Sequence, residues 1–177
     1  MSLDAFKRLN EEVFVSENPV TYISPAQIEA LKKLASTNAR NRVRINAHKT
    51  TDDPLHEMVI VHKKGMYCQP HKHMNKSESF HMIEGELLLI LFDDNGQILQ
   101  TLDLGAAGTG KNLFYRLSKP LYHMIIPETE FVIFHEVTNG PFRRQETIYA
   151  EWAPSEEDDK KSQQEYLSNV LRSMERL

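Results

Sequence analysis

The chain has 177 residues, with 21 basic and 25 acidic side chains and a formal net charge of −4. This length suits one domain with a full core, and the charge gives no reason to expect nucleic acid or an anionic membrane as partner. No apolar run approaches the ~20 residues of a membrane span, and the N-terminal residues have no apolar signal core. A single cysteine excludes an intrachain disulfide, so we expect a reducing cytoplasm.

Residues 1–40 are expected to form a partly helical extension of the main domain. Apolar residues recur at helical spacing at Leu3, Phe6, Leu9 and Val13. A second helix is predicted to begin with Ser24 as N-cap and Pro25 at its first position, and to end near Thr37. We interpret this extension as a packing or dimerisation element.

Residues 42–48 read R-x-R-x-N-x-H, so Arg42, Arg44, Asn46 and His48 alternate with a period of two. On a strand, these four side chains would share one face. An inward-facing set would form a cationic wall suited to a carboxylate, a phosphate or sugar hydroxyls. The alternative is a solvated edge strand, where alternating arginines discourage aggregation.

Residues 65–85 spell G-x5-H-x-H-x4-E-x6-G, which includes His71, His73 and Glu78. The H-x-H pair can direct two imidazoles at one point from a strand, and the following turn allows Glu78 to return on the neighbouring strand. These ligand types predict a divalent transition metal, namely iron, manganese, nickel or zinc. Strand parity also directs Tyr67 and Gln69 toward the site and Cys68 away from it, unless Pro70 breaks the alternation. The turn brings Lys76 near the metal.

Further short apolar runs are separated by turn signals. Strands are predicted at 58–62, 86–92, 97–104, 114–117, 121–126 and 131–137, with a hairpin turn at 93–96. Short strands at this spacing favour a closed all-β sandwich or barrel over a parallel α/β sheet. We expect residues 41–154 to form this domain, with His56, His62, His81 and His135 as hydrogen-bonded core residues and with Tyr149 and Trp152 in packing roles.

The motif at 65–85 resembles the first metal motif of the cupins. A longer similarity, from about residue 40 to 156, is to the WbuC-type cupin-fold metalloproteins; it includes D-D-P (52–54), P-H-x-H-x-x-K-x-E (70–78), F-D-D-N-G (92–96), G-P-F (140–142) and A-x-W-A-P-x-E (150–156). The resemblance implies a mainly β fold, the cupin double-stranded β-helix or jelly-roll barrel, with N-terminal helices and a C-terminal helix. It also implies His123 as a further metal ligand, a polysaccharide O-antigen setting and a homodimer.

Residues 155–177 are predicted to form a C-terminal amphipathic helix. Acidic residues at 155–159 suit a helix start, and an apolar stripe follows at Leu167, Val170, Leu171, Met174 and Leu177. We expect this helix to pack on its own barrel or on a partner subunit.

Two functions remain open. The first is a metal-dependent enzyme, an isomerase or epimerase or an oxygenase, acting on a small polar substrate such as a carbohydrate or nucleotide sugar. The second is a non-catalytic, metal-dependent binding or sensing module with the same cavity. The expected metal ligands are His71, His73, Glu78 and His123, and the candidate cavity residues are Arg44, Asn46, His48, Tyr67, Gln69 and Lys76.

Overall fold

The computed structural model describes residues 3–174, most of which belong to twelve strands and two helices. In chain order the elements are β1 (Phe6–Arg8), β2 (Val13–Ser16), α1 (Pro25–Thr37), β3 (Arg42–Asn46), β4 (Leu55–Lys63), β5 (His71–His73), β6 (Glu78–Glu84), β7 (Glu86–Phe92), β8 (Ile98–Gly105), β9 (Phe114–Leu117), β10 (Tyr122–Pro127), β11 (Phe131–Asn139), a 3-10 turn (Arg144–Glu146), β12 (Thr147–Tyr149) and α2 (Lys160–Met174). The strands predicted at 58–62, 86–92, 97–104, 114–117, 121–126 and 131–137 are confirmed by β4 and β7 to β11.

The strands form two sheets. One has seven strands in the order β1-β2-β3-β4-β11-β6-β9, and the other has five in the order β12-β5-β10-β7-β8. Hydrogen-bonded neighbours are antiparallel except β2 and β3, which are parallel. This mainly β architecture confirms the predicted jelly-roll barrel. Strand β3 lies between β2 and β4, so its arginines do not belong to a solvated edge.

The main core lies between the two sheets. Phe80 and Phe134 of the seven-stranded sheet pack there with Leu87, Leu89 and Leu91 of β7, all of them buried. The alternating strand pattern explains this, because every second residue of β7 points to the same face. The opposite faces of the two sheets carry separate apolar clusters, one under α1 and one under α2.

Helix α1 is built as its sequence predicts. The Ser24 hydroxyl accepts from the Gln27 backbone N–H, the Gln27 side chain accepts from the Ser24 N–H, and Pro25 occupies the first turn. The face of the helix that carries Leu31 packs against Val43 and Val61 of the seven-stranded sheet.

The helix predicted through Leu3, Phe6, Leu9 and Val13 is wrong. This segment forms strands β1 and β2, which pair with each other, and β2 then extends the sheet beside β3. The segment forms strands despite its helical spacing because the strand pair buries both Phe6 and Phe14 in the cluster under α1. These two residues lie on paired strands, within two residues of direct opposition. Leu9 lies at the turn between the strands and stays exposed.

Gly85 occupies the crossing from β6, in one sheet, to β7, in the other. Its φ is +78°, and an added Cβ would lie 2.1 Å from the Phe131 carbonyl oxygen. Only glycine satisfies both conditions without strain. The last glycine of the 65–85 motif is therefore required by the change of sheet.

Helix α2 begins after Asp159, whose side chain accepts from the Lys161 and Ser162 N–H groups. Val170 is buried, and Leu167 and Met174 pack against the five-stranded sheet, while Leu171 is 39% exposed. Leu177, the last member of the predicted stripe, lies outside the described residues. Within 3–174, neither helix has the length and apolar character needed to cross a bilayer.

Replacing Leu31 by alanine tests the packing of α1. Leu31 has no exposed surface, so Leu31→Ala is expected to lower the free energy of unfolding by about 2–5 kcal/mol through lost burial and the cavity left behind. Leu99→Ala on β8 is the matched control; Leu99 is 56% exposed, and a change within about 0.5 kcal/mol is expected. Urea unfolding followed by circular dichroism measures both, and equal losses would contradict the packing.

Candidate metal centre

Three histidines converge at one end of the five-stranded sheet. His71 and His73 lie on β5, and His123 on β10 is directly opposite His71 in the strand register. Ring centroids are 4.5 Å apart for His71 and His123 and 5.0 Å apart for His71 and His73. One ligating atom from each of the three lies within 4.8 Å of the others, as metal binding requires.

Glu78 approaches the histidines from the facing sheet. Its Oε1 lies 3.1 Å from His123 Nε2, and its Oε2 lies 3.5 Å from His73 Nε2. The Tyr115 hydroxyl donates to Oε1 at 3.5 Å, and Glu78 is 4% exposed. The sequence predicted that Glu78 returns on a neighbouring strand; β6 instead belongs to the opposite sheet, so the carboxylate meets the imidazoles across the barrel.

The outer nitrogens of the histidines are tied to the protein. His71 Nδ1 is 2.8 Å from the Gln69 carbonyl, and His123 Nδ1 is 3.1 Å from the Leu121 carbonyl. A carbonyl only accepts, so each Nδ1 carries a proton, and Nε2 is the nitrogen that faces the centre. His73 Nδ1 has the Thr147 hydroxyl at 3.0 Å. Such outer contacts fix the ring orientation and tautomer of metal-bound histidines.

These contacts fit a divalent metal. The 3.1 Å between His123 Nε2 and Glu78 Oε1 suits either a hydrogen bond from an imidazolium or two ligands of one metal. Burial would raise the pKa of Glu78, but His123 and His73 lower it, so the carboxylate is ionised. Three nitrogens and one oxygen suit iron, manganese, nickel and zinc alike.

A cavity of about 510 Å³ adjoins these four side chains. Of the predicted cavity residues, Arg44, Asn46, His48 and Lys76 line it. Lys76 Nζ lies 3.9 Å from Glu146 Oε2 and 5.3 Å from the centroid of the Phe142 ring.

The placement of Tyr67 and Gln69 in the cavity is wrong. Residues 66–70 are not in a strand, so the alternation counted back from His71 fails at Pro70. The Tyr67 hydroxyl donates to the Pro154 carbonyl, and the Gln69 amide donates to the Ala150 carbonyl. Cys68 takes the inward position instead and lines the cavity, contrary to the parity argument. Burial raises the pKa of its thiol to about 11, so it stays protonated.

Glu136 is the cavity residue that the sequence reasoning missed. It lies on β11 between Phe134 and Thr138, which also line the cavity. Burial and the charge of Glu78 raise the pKa of its carboxyl. The signal that would have found it is a charged residue near the end of the run F-V-I-F-H-E-V (131–137), two residues after the inward-facing Phe134.

Several aromatic and histidine side chains differ from expectation. His56 and His62, expected as hydrogen-bonded core residues, line the cavity, and so does Tyr149. Burial and the neighbouring arginines lower the pKa of His62 to about 3, so its ring is neutral. The packing role of Trp152 is confirmed by ring contacts with Phe92 and Tyr122.

Ion pairs at the cavity wall join the segment before β2 and the segment before α2 to the arginines in and beside β3. Arg42 binds Glu12 through Nε at 3.0 Å and Glu156 through both terminal nitrogens at 3.0 Å. Arg40 also pairs with Glu156. The segment before β2 and the segment before α2 are thus held to the same strand, β3, at its cavity-facing side.

The sequence shares a region with one known family. The family model of a domain of unknown function, DUF6016, matches residues 23–104, which is less than half of the chain. No curated protein sequence is significantly similar to the chain.

Solved structures share its fold. A protein from Shewanella oneidensis has a TM-score of 0.54 at 9% identity, with 68% of this chain and 82% of that chain covered. The capsular polysaccharide assembling protein CapF from Staphylococcus aureus has a TM-score of 0.51 at 17% identity, with 65% of this chain covered. The match spans 33% of CapF, so about a third of that longer protein is comparable. The two-sheet architecture and these neighbours identify the chain as a cupin-fold protein.

Proposed function

We propose that this chain is a metal-dependent enzyme that acts on a small polar substrate, a carbohydrate or nucleotide sugar, at a centre formed by His71, His73, Glu78 and His123. The observation that carries the proposal is the convergence of three imidazoles, with ligating atoms within 4.8 Å of one another, and of the Glu78 carboxylate, 3.1 Å from His123 Nε2, beside an open cavity. A buried carboxylate is costly without a cation to compensate it.

A bound divalent metal would supply Lewis-acid polarisation of a substrate carbonyl or hydroxyl pair, or an open position for oxygen. The protein contributes the rest. The Gln69 and Leu121 carbonyls hold two imidazoles in one orientation, and Tyr115 holds the carboxylate. Glu136 faces the same cavity with a raised pKa, so its carboxyl can donate a proton to a substrate oxygen and take one back.

The biological setting is also a proposal. CapF, which shares the fold, is named for capsular polysaccharide assembly, and the resemblance to WbuC-type proteins implies an O-antigen setting. Both agree with a sugar as substrate, and we infer that the chain is a WbuC-type cupin. Cytoplasmic location and a homodimer stay predictions.

Elemental mass spectrometry on tag-free protein purified without oxygen is the first test of this function. Near-stoichiometric iron would direct the search to oxygen uptake with sugars and small acids. Zinc, nickel or manganese would direct it to isomerase and epimerase assays on sugar phosphates and nucleotide sugars. Sugar binding without any turnover would instead support the alternative, a non-catalytic binding or sensing module. Protein that takes up no metal on reconstitution would refute the metal centre.

The double substitution His73→Ala with Glu78→Ala tests the ligand set. It removes one nitrogen and the only carboxylate of the proposed centre, so metal content is expected to fall to background after dialysis. His81→Ala on β6, an exposed histidine, is the matched control and is expected to keep the wild-type metal content. Stoichiometric metal in the double variant would overturn the assignment.

Thr147→Val tests the outer contact to His73. The substitution keeps the side-chain shape and removes the hydroxyl 3.0 Å from His73 Nδ1, so metal affinity is expected to fall by about 10–100-fold. Competition with a chromophoric chelator measures the affinity. Thr101→Val, at an exposed position of β8, is expected to bind like the wild type. Unchanged affinity in Thr147→Val would show that Thr147 does not support the centre.

A further inference from the structure

The cavity wall formed by β3 is polar and faces the metal centre across the barrel. Because β3 lies between β2 and β4, its alternate residues Arg42, Arg44 and Asn46 face the cavity, while Val43 and Ile45 pack under α1. In the register, Asn46 is opposite Met58, and Met58 is opposite Glu136. These three residues form one inner row of the seven-stranded sheet.

Arg44 differs from the two preceding arginines, Arg40 and Arg42, in its side-chain contacts. Arg40 and Arg42 are both paired with Glu156, and Arg42 also with Glu12. The backbone N–H of Arg44 donates to the Glu12 carbonyl, but its guanidinium makes no hydrogen bond or ion pair with the described residues, although Arg44 lines the cavity. A guanidinium is always charged at physiological pH and offers a planar fork of donors. Arg44 is thus free to bind an anion inside the cavity.

Asn46 supplies a second, independent observation. Asn46 is only 8% exposed, and its side-chain oxygen has no hydrogen-bond partner among residues 3–174. His56 Nε2 and His62 Nδ1, on the adjacent strand β4, are also buried without a partner. Buried polar groups normally have partners, because an unpaired one costs free energy. All three residues line the cavity, and the unpaired amide oxygen of Asn46 needs a donor, such as a sugar hydroxyl.

We propose a subsite in which Arg44 binds a terminal oxyanion, a carboxylate or phosphate, of a sugar whose other end reaches the metal, and in which the Asn46 side-chain oxygen accepts from a hydroxyl of that sugar. This inference rests on the proposed function and narrows its substrate class. Strands β4 and β11 separate β3 from β6, which is three strand spacings of about 4.8 Å. A ligand that reaches from Arg44 to the metal centre must therefore be longer than a two-carbon acid. Glu136 lies between these two points, where its carboxyl can accept hydrogen bonds from sugar hydroxyls.

Isothermal titration of metal-loaded, full-length protein tests the subsite with glucose 6-phosphate, glucuronate and neutral glucose, and with inorganic phosphate. At least one anionic sugar is expected to bind about tenfold or more tightly than glucose. Arg44→Gln is expected to remove that preference, so that the anionic sugars bind no more tightly than glucose. Asn46→Asp, which places a carboxylate in the subsite, is expected to remove it as well.

Arg116→Gln, which removes the same charge at an exposed position of β9, is the matched control and is expected to keep the preference. A preference for the phosphate or for the carboxylate identifies the source of the oxyanion. Equal binding of all three sugars, a preference that survives Arg44→Gln, or no binding of any anion would overturn the subsite.

Metal content measured on the same samples separates this proposal from the proposed function. Phosphate binding that depends on Arg44 in chelator-treated protein would support the subsite even if no metal were ever bound. Stoichiometric metal without binding that depends on Arg44 would refute the subsite alone.

Discussion

The rest of the site depends on one contact, the carboxylate of Glu78 held against His123 across the space between two sheets. Each sheet contributes groups that the other lacks, since β5 and β10 carry the imidazoles and β6 carries the carboxylate. A charge buried at 4% exposure is stable only with a compensating partner. The packing of the two sheets therefore brings the carboxylate and the imidazoles together.

The two sheets contribute different parts of the cavity. The five-stranded sheet is supported by α2 and holds the histidine end of the cavity. The seven-stranded sheet is extended by β1 and β2 and covered by α1, and its inner face presents Glu136, Asn46 and Arg44. Without β2, strand β3 would be an edge strand, and fewer backbone hydrogen bonds would fix the direction of its polar side chains. The N-terminal strands thus have an indirect role in shaping the cavity.

Inside a small barrel, polar groups are costly, and this chain has many of them on one wall. Arg42 is satisfied by Glu12 and Glu156, which join residues near both ends of the chain. Within residues 3–174, Asn46, His56 and His62 each keep one buried side-chain atom without a hydrogen-bond partner. The paired Arg42 holds segments of the fold together, whereas the unpaired atoms leave the cavity wall polar.

The sequence by itself determined the strands, the capped helix α1 and the residue types of the centre, because these depend on local periodicity, capping and short spacing. Arg44, Asn46, His48 and Lys76 also line the cavity as expected, since strand alternation or a short turn fixes them. Tertiary structure decided what local patterns cannot. Pro70 interrupts the strand alternation, so Cys68 lines the cavity and Tyr67 and Gln69 do not. Long-range pairing with β3 makes the N-terminal segment an extension of the sheet instead of a helix. Glu136 becomes a cavity residue, and Glu78 faces His123, only because distant strands are folded into opposing sheets, and no spacing along the chain encodes that distance.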